Sequence, residues 1–399
     1  MQESVGKHVL IIVENLPLPF DRRVWMESNT LTKAGYKVSI ICPKGKGYES
    51  EFESINDIDI YRHDLPPEES SAKGYLREYS HALYHEWRLA RKIYKKQKFD
   101  VIQACNPPDL IFLVALWFKI LHGVKFIFDH HDLNPELYES KFFKRGFFYQ
   151  ALKWAEKFTF KTANMVISTN ESYKEVAITR GGKKSEDVFV VRSGPDLSLF
   201  KIKPPKQEYK NGKKFLVGYL GVMGEFDGVD HLVKAARRIV HDLNRKDIQF
   251  CLIGSGPCFE DLVKLRDEYN LQDFMQFTGR VSDEDLIARL SSCDVCVNPD
   301  PKNPLNDKST MNKILEYMAL AKPIVQYDLL EGKRSALEAS WYADPDNIED
   351  FASKIVELID KGDEYRAEMG QFGLRRMQDE LEWAYQKEKL LKAYKHLLG

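Results

Sequence analysis

The chain has 399 residues, 43% of them hydrophobic and 30% charged. That balance suits a globular protein long enough for two cores and excludes a disordered one. The formal net charge is -1, so no global field argues for a nucleic acid or other polyanion as partner.

Short β-rich runs alternate with helical segments from the start. VLIIV (9–13) is followed by the loop NLPLPFDRRVW (15–25), which carries Asp21, Arg22 and Arg23, and by a helix from about Arg22 to Lys33. KVSIIC (37–42) follows the Ala34-Gly35 stop. The lone Asp57-x-Asp59 alternates with isoleucines and reads as a strand's outward face, not as a metal motif. Further strands are expected at DVIQA (100–104), KFIFD (125–129), MVIST (165–169) and VFVVR (188–192). Leu110 to Leu121 is the longest apolar run; Lys119 interrupts it, and it falls short of the roughly 20 residues a membrane span needs.

FDHHDLNPELYE (128–139) directly follows a strand, and histidines and acids at a strand's carboxyl end suit a site on a rigid scaffold. The bland alternative is a turn in which Asp132 and Asn134 satisfy backbone amides before Pro135; adjacent His130, His131 and Asp132 do not aim at one ion. KFFKRGFFYQALKWAEKFTFK (141–161) mixes Lys141, Lys144, Arg145, Lys153, Lys157 and Lys161 with Phe142, Phe143, Phe147, Phe148, Tyr149, Trp154, Phe158 and Phe160 around one acid, Glu156. A basic aromatic helix of this kind suits an anionic membrane surface, or else packs on a core with its lysines snorkelling.

Ser193 to Lys206, with Gly194, Pro195, Pro204 and Pro205, breaks the pattern and marks a domain junction. The alternation then restarts with FLVGYL (215–220), QFCLIG (249–254), MQFTG (275–279), DVCVN (294–298) and PIVQY (323–327). Two successive doubly wound α/β units are expected, with ligands beyond the carboxyl ends of their strands. Between the first of these strands and its helix, Gly221, Gly224 and Gly228 leave room for backbone amides to approach a diphosphate. In NDKSTMNKILEYMALAKPIV (306–325), Lys308, Ser309 and Thr310 open a helix that carries Lys313 and Glu316. Hydroxyls, a lysine and free amides suit a diphosphate, and a carboxylate further on can accept from ribose hydroxyls; capping by Ser309 or Thr310 is the alternative. The six cysteines lack a disulfide-like spacing and fit a reducing compartment, and Cys293-x-x-Cys296 lies in an apolar run that reads as buried thiols. With no secretory signal before the first strand, a cytoplasmic protein is expected, peripheral on the membrane through 141–161.

Together these segments resemble the retaining glycosyltransferases of family 4, particularly bacterial enzymes that build surface polysaccharides. The strongest parts are HDLNPELYESKF (131–142), CLIGSGP (251–257), FTGRVSDEDL (277–286) and STMNKILEYMALAKPIVQYD (309–328). The resemblance implies the glycosyltransferase B fold: two Rossmann-like doubly wound domains facing a cleft. Residues 1–198 would be the acceptor domain, 199–380 the donor domain, and 381–399 a helix crossing back to the first. It implies metal-independent transfer of a hexosyl or N-acetylhexosaminyl group from a nucleotide-diphosphate sugar, with UDP the expected nucleotide, to a glycan or lipid-linked acceptor. No cofactor beyond the donor substrate is expected.

By matching position, Glu316 is the carboxylate on the donor ribose, and Ser309 and Thr310 match the diphosphate loop. Gly221, Gly224, Gly254, Gly256 and Arg280 border the same pocket, and His131 matches the first-domain histidine beside the transferred sugar. Many relatives carry a glutamate where Lys308 stands, and an arginine and a lysine where Val222 and Asp227 stand. The diphosphate's positive partners are therefore sought among Lys308, Lys313, Arg280 and Arg22. Two other readings stay open: a nucleotide-sugar-binding partner that has lost transfer, and a nucleotide-sugar epimerase.

Overall fold

The structure is a computed structural model. It describes residues 6–65, 72–142 and 144–399, with side chains from Ser80 onward in the helix that opens at Ala72. Met1 to Glu3 and Phe143 lie outside the described residues. The chain divides into two compact units, Met1–Ser193 with Gln386–Gly399, and Gly194–Tyr385.

The first unit runs β1 (His8–Ile12), α1 (Arg22–Lys33), β2 (Lys37–Pro43), β3 (Phe52–Ile55), β4 (Ile58–His63), α2 (Ala72–Lys96), β5 (Val101–Cys105), α3 (Phe112–His122), β6 (Lys125–His130), α4 (Asn134–Phe142), α5 (Phe147–Thr162), β7 (Met165–Ser168), α6 (Glu171–Thr179) and β8 (Val188–Val190). Among the described residues its sheet has eight strands in the order β3-β4-β2-β1-β5-β6-β7-β8. All pairs are parallel except β3 with β4. Parallel strands are covered on both faces, which is why β1 and β5 are buried throughout and read as apolar runs. The strand order reverses between β1 and β5, so the crevice for ligands opens beyond their carboxyl ends. Asp21 caps α1 by accepting the Val24 N–H at 3.1 Å.

Two local expectations need correction. Asp57 is not on a strand face: Asn56 and Asp57, both at positive φ, form the two-residue turn of the β3–β4 hairpin, and only Asp59 lies on a strand. Residues 141–161 are not one helix either. α4 ends at Phe142, and extended Gly146 (φ -79°, ψ -159°) lets α5 start afresh at Phe147.

The second unit runs β9 (Phe215–Leu220), α7 (Val229–Arg237), β10 (Ile248–Ile253), α8 (Phe259–Glu268), β11 (Met275–Gly279), α9 (Asp283–Ser292), β12 (Val295–Asn298), α10 (Asn312–Ala319), β13 (Ile324–Tyr327), α11 (Leu330–Ala336), β14 (Ser340–Ala343), α12 (Ile348–Asp360) and α13 (Asp363–Arg376). Its six strands, in the order β11-β10-β9-β12-β13-β14, are all parallel. Here the order reverses between β9 and β12. Cys293, which ends α9, and Cys296, within β12, are buried free thiols, and a Cβ on Gly218 would stand 2.4 Å from the Cys293 Sγ. The last helix, α14 (Trp383–Leu398), carries the chain into the first unit from Gln386 onward. Among the described residues no helix is long and apolar enough to cross a membrane.

Candidate functional site

In the second unit, the loops after β9, β10 and β12 meet at the carboxyl edge where the strand order reverses. The Gly221 N–H donates to the Ile253 carbonyl at 3.1 Å, the Met223 N–H to the Ser255 carbonyl at 3.2 Å, and the Cys258 N–H to the Met223 carbonyl at 2.9 Å. Two backbones this close exclude side chains. A Cβ on Gly254, whose φ is +133°, would lie 1.9 Å from the Gly221 oxygen, and one on Gly256 would lie 2.5 Å from the Met223 oxygen. The loop after β12 is tied in by Asn306, whose Nδ2 donates to the Phe226 carbonyl at 3.0 Å and to the Pro301 carbonyl at 2.9 Å.

α10 starts from Met311 with no side-chain cap. Ser309 does not cap it: its hydroxyl donates to the Leu305 carbonyl at 2.8 Å. Lys308, Ser309, Thr310 and Glu316 are half-buried around this helix start, and Arg280 is exposed just after β11. Lys313 points inward. Its Nζ is 2.9 Å from Asp300 Oδ1, both side chains being buried, and 5.0 Å from the centre of the Tyr219 ring. Burial alone would lower the Lys313 pKa, but Asp300 outweighs it and keeps the ammonium charged. A Cβ on Gly221 would come 3.2 Å from Lys313 Cε, so this cation forms the floor of the glycine loop. Asp227 is drawn into the same loop: its Oδ2 accepts the Gly224 N–H at 2.9 Å. Burial raises the Asp227 pKa, against the pull of Lys313.

In the first unit, His131 lies just beyond β6, with its backbone N–H held by Asn106 Oδ1 at 2.8 Å. Asn106 also accepts the Asp132 N–H at 3.2 Å and donates to the Asp132 carbonyl at 2.7 Å, so one amide side chain fixes the turn. The His131 Nε2 stands 3.0 Å from Asp129 Oδ2 and 2.9 Å from Arg23 Nε. Burial lowers the ring's pKa, but the Asp129 carboxylate overrides it and the net shift is upward. With a proton on Nε2 the ring donates to Asp129; without it, Nε2 accepts the Arg23 Nε–H.

Asp129 is fully buried. It also receives Arg23 Nη2 at 3.0 Å and Gln103 Nε2 at 2.8 Å. Burial would push its carboxyl up; Arg23 and His131 overcome that and hold it well below the usual range. Glu27 Oε1 lies 3.0 Å from the same Arg23 Nη2, and Glu27 Oε2 accepts from Gln103 at 2.6 Å. Burial pushes Glu27 up to about 8, partly offset by Arg23 and reinforced by Asp129, which favours its protonated form. Tyr394 on α14 donates to Gln103 Oε1 and orients that amide. Ligand-type atoms of Cys105, Asp129 and His131 lie within 4.8 Å of one another. The carboxylate is already engaged by Arg23 and Gln103, however, and burial drives the Cys105 thiol pKa up, a poor donor set for a metal. His130, the other half of the pair, is fully buried between Phe160 and Tyr173, and burial takes its pKa down to about 3.

The structure thus brings Gly221, Gly224, Gly254, Gly256 and Lys313 together at one edge of the second sheet; Lys308, Ser309, Thr310 and Glu316 lie in the loop and helix that carry Lys313, and Arg280 lies just after β11. His131 stands at the corresponding edge of the first sheet, and Arg22 is exposed at the start of α1. Sequence reasoning missed Asn106, Gln103, Asp129 and Tyr394. A glutamine inside the apolar strand DVIQA was the available signal, because a buried amide needs polar partners.

Residues 21–199 match the family model "Glycosyltransferase Family 4" and residues 214–361 the model "Glycosyl transferases group 1". Alpha-maltose-1-phosphate synthase of Mycolicibacterium smegmatis is 25% identical over 304 residues, covering 69% of this chain and 74% of that protein. The sucrose-phosphate synthase structure from Thermosynechococcus elongatus superposes with a TM-score of 0.81 at 18% identity, covering 98% of this chain and 99% of the other. HepE of Anabaena, solved with UDP and glucose, gives 0.72 at 13% identity, covering 98% and 100%. The two sheets and these solved structures agree on the B fold, and the two family matches, which together span most of the chain, show the rest: the chain is a glycosyltransferase, and it belongs to the retaining glycosyltransferases of family 4.

Proposed function

We propose that this enzyme moves a hexosyl or N-acetylhexosaminyl group, without a metal, from a nucleotide-diphosphate sugar to a glycan or lipid-linked acceptor in surface-polysaccharide biosynthesis. UDP is the favoured nucleotide, a choice supported by HepE, a structural neighbour solved with UDP. The enzyme works peripherally at the cytoplasmic membrane face. The observation that carries the donor assignment is the carboxyl edge of the second sheet, where a helix without a side-chain cap meets two backbone loops packed too closely for side chains.

Amides at a helix start and in a glycine loop favour negative charge. As the sugar leaves, charge grows on the diphosphate, and each preorganised donor there lowers the barrier by a few kcal/mol. Ser309, Thr310 and Lys308 add hydroxyls and a cation at the mouth. Lys313 acts through the floor of the loop, held in place by Asp300. Glu316 accepts from the donor ribose. His131, fixed by Asn106 and Asp129, shapes the sugar end and need not be the base, since the leaving phosphate can take the acceptor's proton.

Calorimetric titration with UDP, GDP and their sugar conjugates, without added metal, tests this reading. Selective binding of one nucleotide that is lost in Glu316→Ala supports it. Normal transfer kinetics in that variant would remove Glu316 from the donor site. Activity abolished by a chelator and restored by a divalent ion would overturn the metal-free part.

A further inference from the structure

α5 has apolar residues on both of its faces. Tyr149, Thr159 and Phe160 are buried against the unit, as expected of a surface helix. The outward stripe, however, runs Phe147, Ala151, Trp154, Phe158 and Lys161, at the spacing of one helix face, and Phe147 and Trp154 are 82% and 66% exposed. α3 packs beside α5, with the Phe112 and Phe158 rings 6.1 Å apart and Lys119 Nζ donating to the Thr162 carbonyl at 2.6 Å. Leu113, Ile120 and Leu121 of α3 are exposed as well. Exposed apolar groups so concentrated mark an interaction surface.

The charge pattern says what kind. Lys144, Lys157 and Lys161 are exposed around the stripe and make no ion pair among the described residues. The acids nearby are spoken for: Glu139 pairs with Arg145 at 2.7 Å, and Glu156 is buried against Arg180. Bulky aromatics flanked by unpaired lysines match an interface of acyl chains beneath anionic headgroups. We infer that the outward face of α3 and α5 is a docking surface for an anionic phospholipid bilayer, with Phe147, Trp154 and Phe158 entering the headgroup boundary and Lys144, Lys157 and Lys161 over it. This deepens the peripheral-membrane part of the proposed function and rests on that reading.

The test is vesicle co-sedimentation of the full chain with phosphatidylcholine alone and with phosphatidylcholine containing about one-third phosphatidylglycerol. The prediction is binding to the anionic vesicles only, weakened by salt. Each lysine near an anionic surface is worth on the order of five-fold in partitioning, so K144E/K157E/K161E should lose about a hundred-fold. Trp154→Ser with Phe158→Ser should lose binding at every salt concentration. All five positions are exposed, so the variants should melt like the parent and keep UDP binding. No binding to anionic vesicles, equal binding to neutral ones, or undiminished binding by either variant overturns the proposal. So does sedimentation showing that the face closes a dimer broken by Trp154→Ser. Any of these results leaves nucleotide-sugar transfer standing, because donor binding is measured separately.

Discussion

Removing the charge of Asp129 tests whether the buried cluster behind His131 works as a unit. Breaking a buried ion pair by deleting one partner usually costs about 3–5 kcal/mol. Asp129→Asn should cost less, about 2 kcal/mol, because Glu27 stands 3.0 Å from the same Arg23 nitrogen. Glu27 is held protonated by burial and, in part, by Asp129 itself. With Asp129 neutral, Glu27 loses that repulsion, ionises and takes over Arg23. Glu27→Gln alone replaces one neutral acceptor by another and should cost about 1 kcal/mol. The double variant leaves Arg23 buried without any counter-charge and should cost about 5 kcal/mol, a coupling of about 2 kcal/mol beyond the singles. In scanning calorimetry, with roughly 2–4 °C per kcal/mol for a unit of this size, Asp129→Asn should lower its transition by about 4–8 °C. The His131 ring should titrate lower by NMR, since Asp129 is what raises it. Strict additivity of the two substitutions, or a single Asp129→Asn as damaging as the double, would refute the idea that Glu27 replaces Asp129.

The remaining predictions concern pH and the glycine loop. Glu27, Glu86 and Asp109 are each pushed up to about 8 and Glu156 to about 7, with burial the leading cause in every case. Below about pH 6.5 the buried His63 and His130, whose pKa values burial lowers, oppose these acids by taking up protons on unfolding. Between about pH 6.5 and 8 the folded chain keeps protons on the acids that the unfolded one has released, at most about 1.4 kcal/mol per pH unit for each group. Thermal midpoints should therefore fall as pH rises through this upper window, and a rising midpoint there would contradict the burial of these acids. Gly254→Ala places a Cβ 1.9 Å from the Gly221 oxygen at a φ that disfavours side chains. It should cost about 2–3 kcal/mol of stability and at least ten-fold in UDP affinity by calorimetry; unchanged affinity would separate this loop from the donor. Asp227→Asn keeps an acceptor for the Gly224 N–H while removing a negative charge, and should tighten UDP binding about three-fold or more. Weaker binding would show that the carboxylate helps the site.

Much of the architecture was legible because parallel strands buried on both faces must be nearly all apolar. VLIIV, KFIFD and QFCLIG could hardly have been anything else once helical stretches separated them. β3 and β14 escaped because they lie at sheet edges, where one side is open and the run is short and half-polar: FESI and SWYA carry little pattern. The break at Gly146 escaped for a different reason. Composition stays basic and aromatic across it, and the run is divided only by the non-helical backbone of Lys144 to Gly146.

The site was legible by residue type but not by direction. Lys313 and Lys308 look alike in sequence, five residues apart in one loop and helix. Lys308 ends the short turn before α10 and lies on the half-buried rim, whereas the first turn of α10 carries Lys313 inward onto Asp300 and Tyr219. That distinction changes the electrostatics of the pocket. A lysine already paired with a buried aspartate offers a diphosphate little net charge, and Asp227 beside it offers less. Attraction must then come from fixed amide dipoles, from Ser309 and Thr310, and from cations at the rim, which are more screened and more easily moved. Donor affinity in this enzyme should accordingly depend more on the exact backbone of the glycine loop than on any one lysine. Gly254→Ala should therefore impair UDP binding more than Lys308→Ala does.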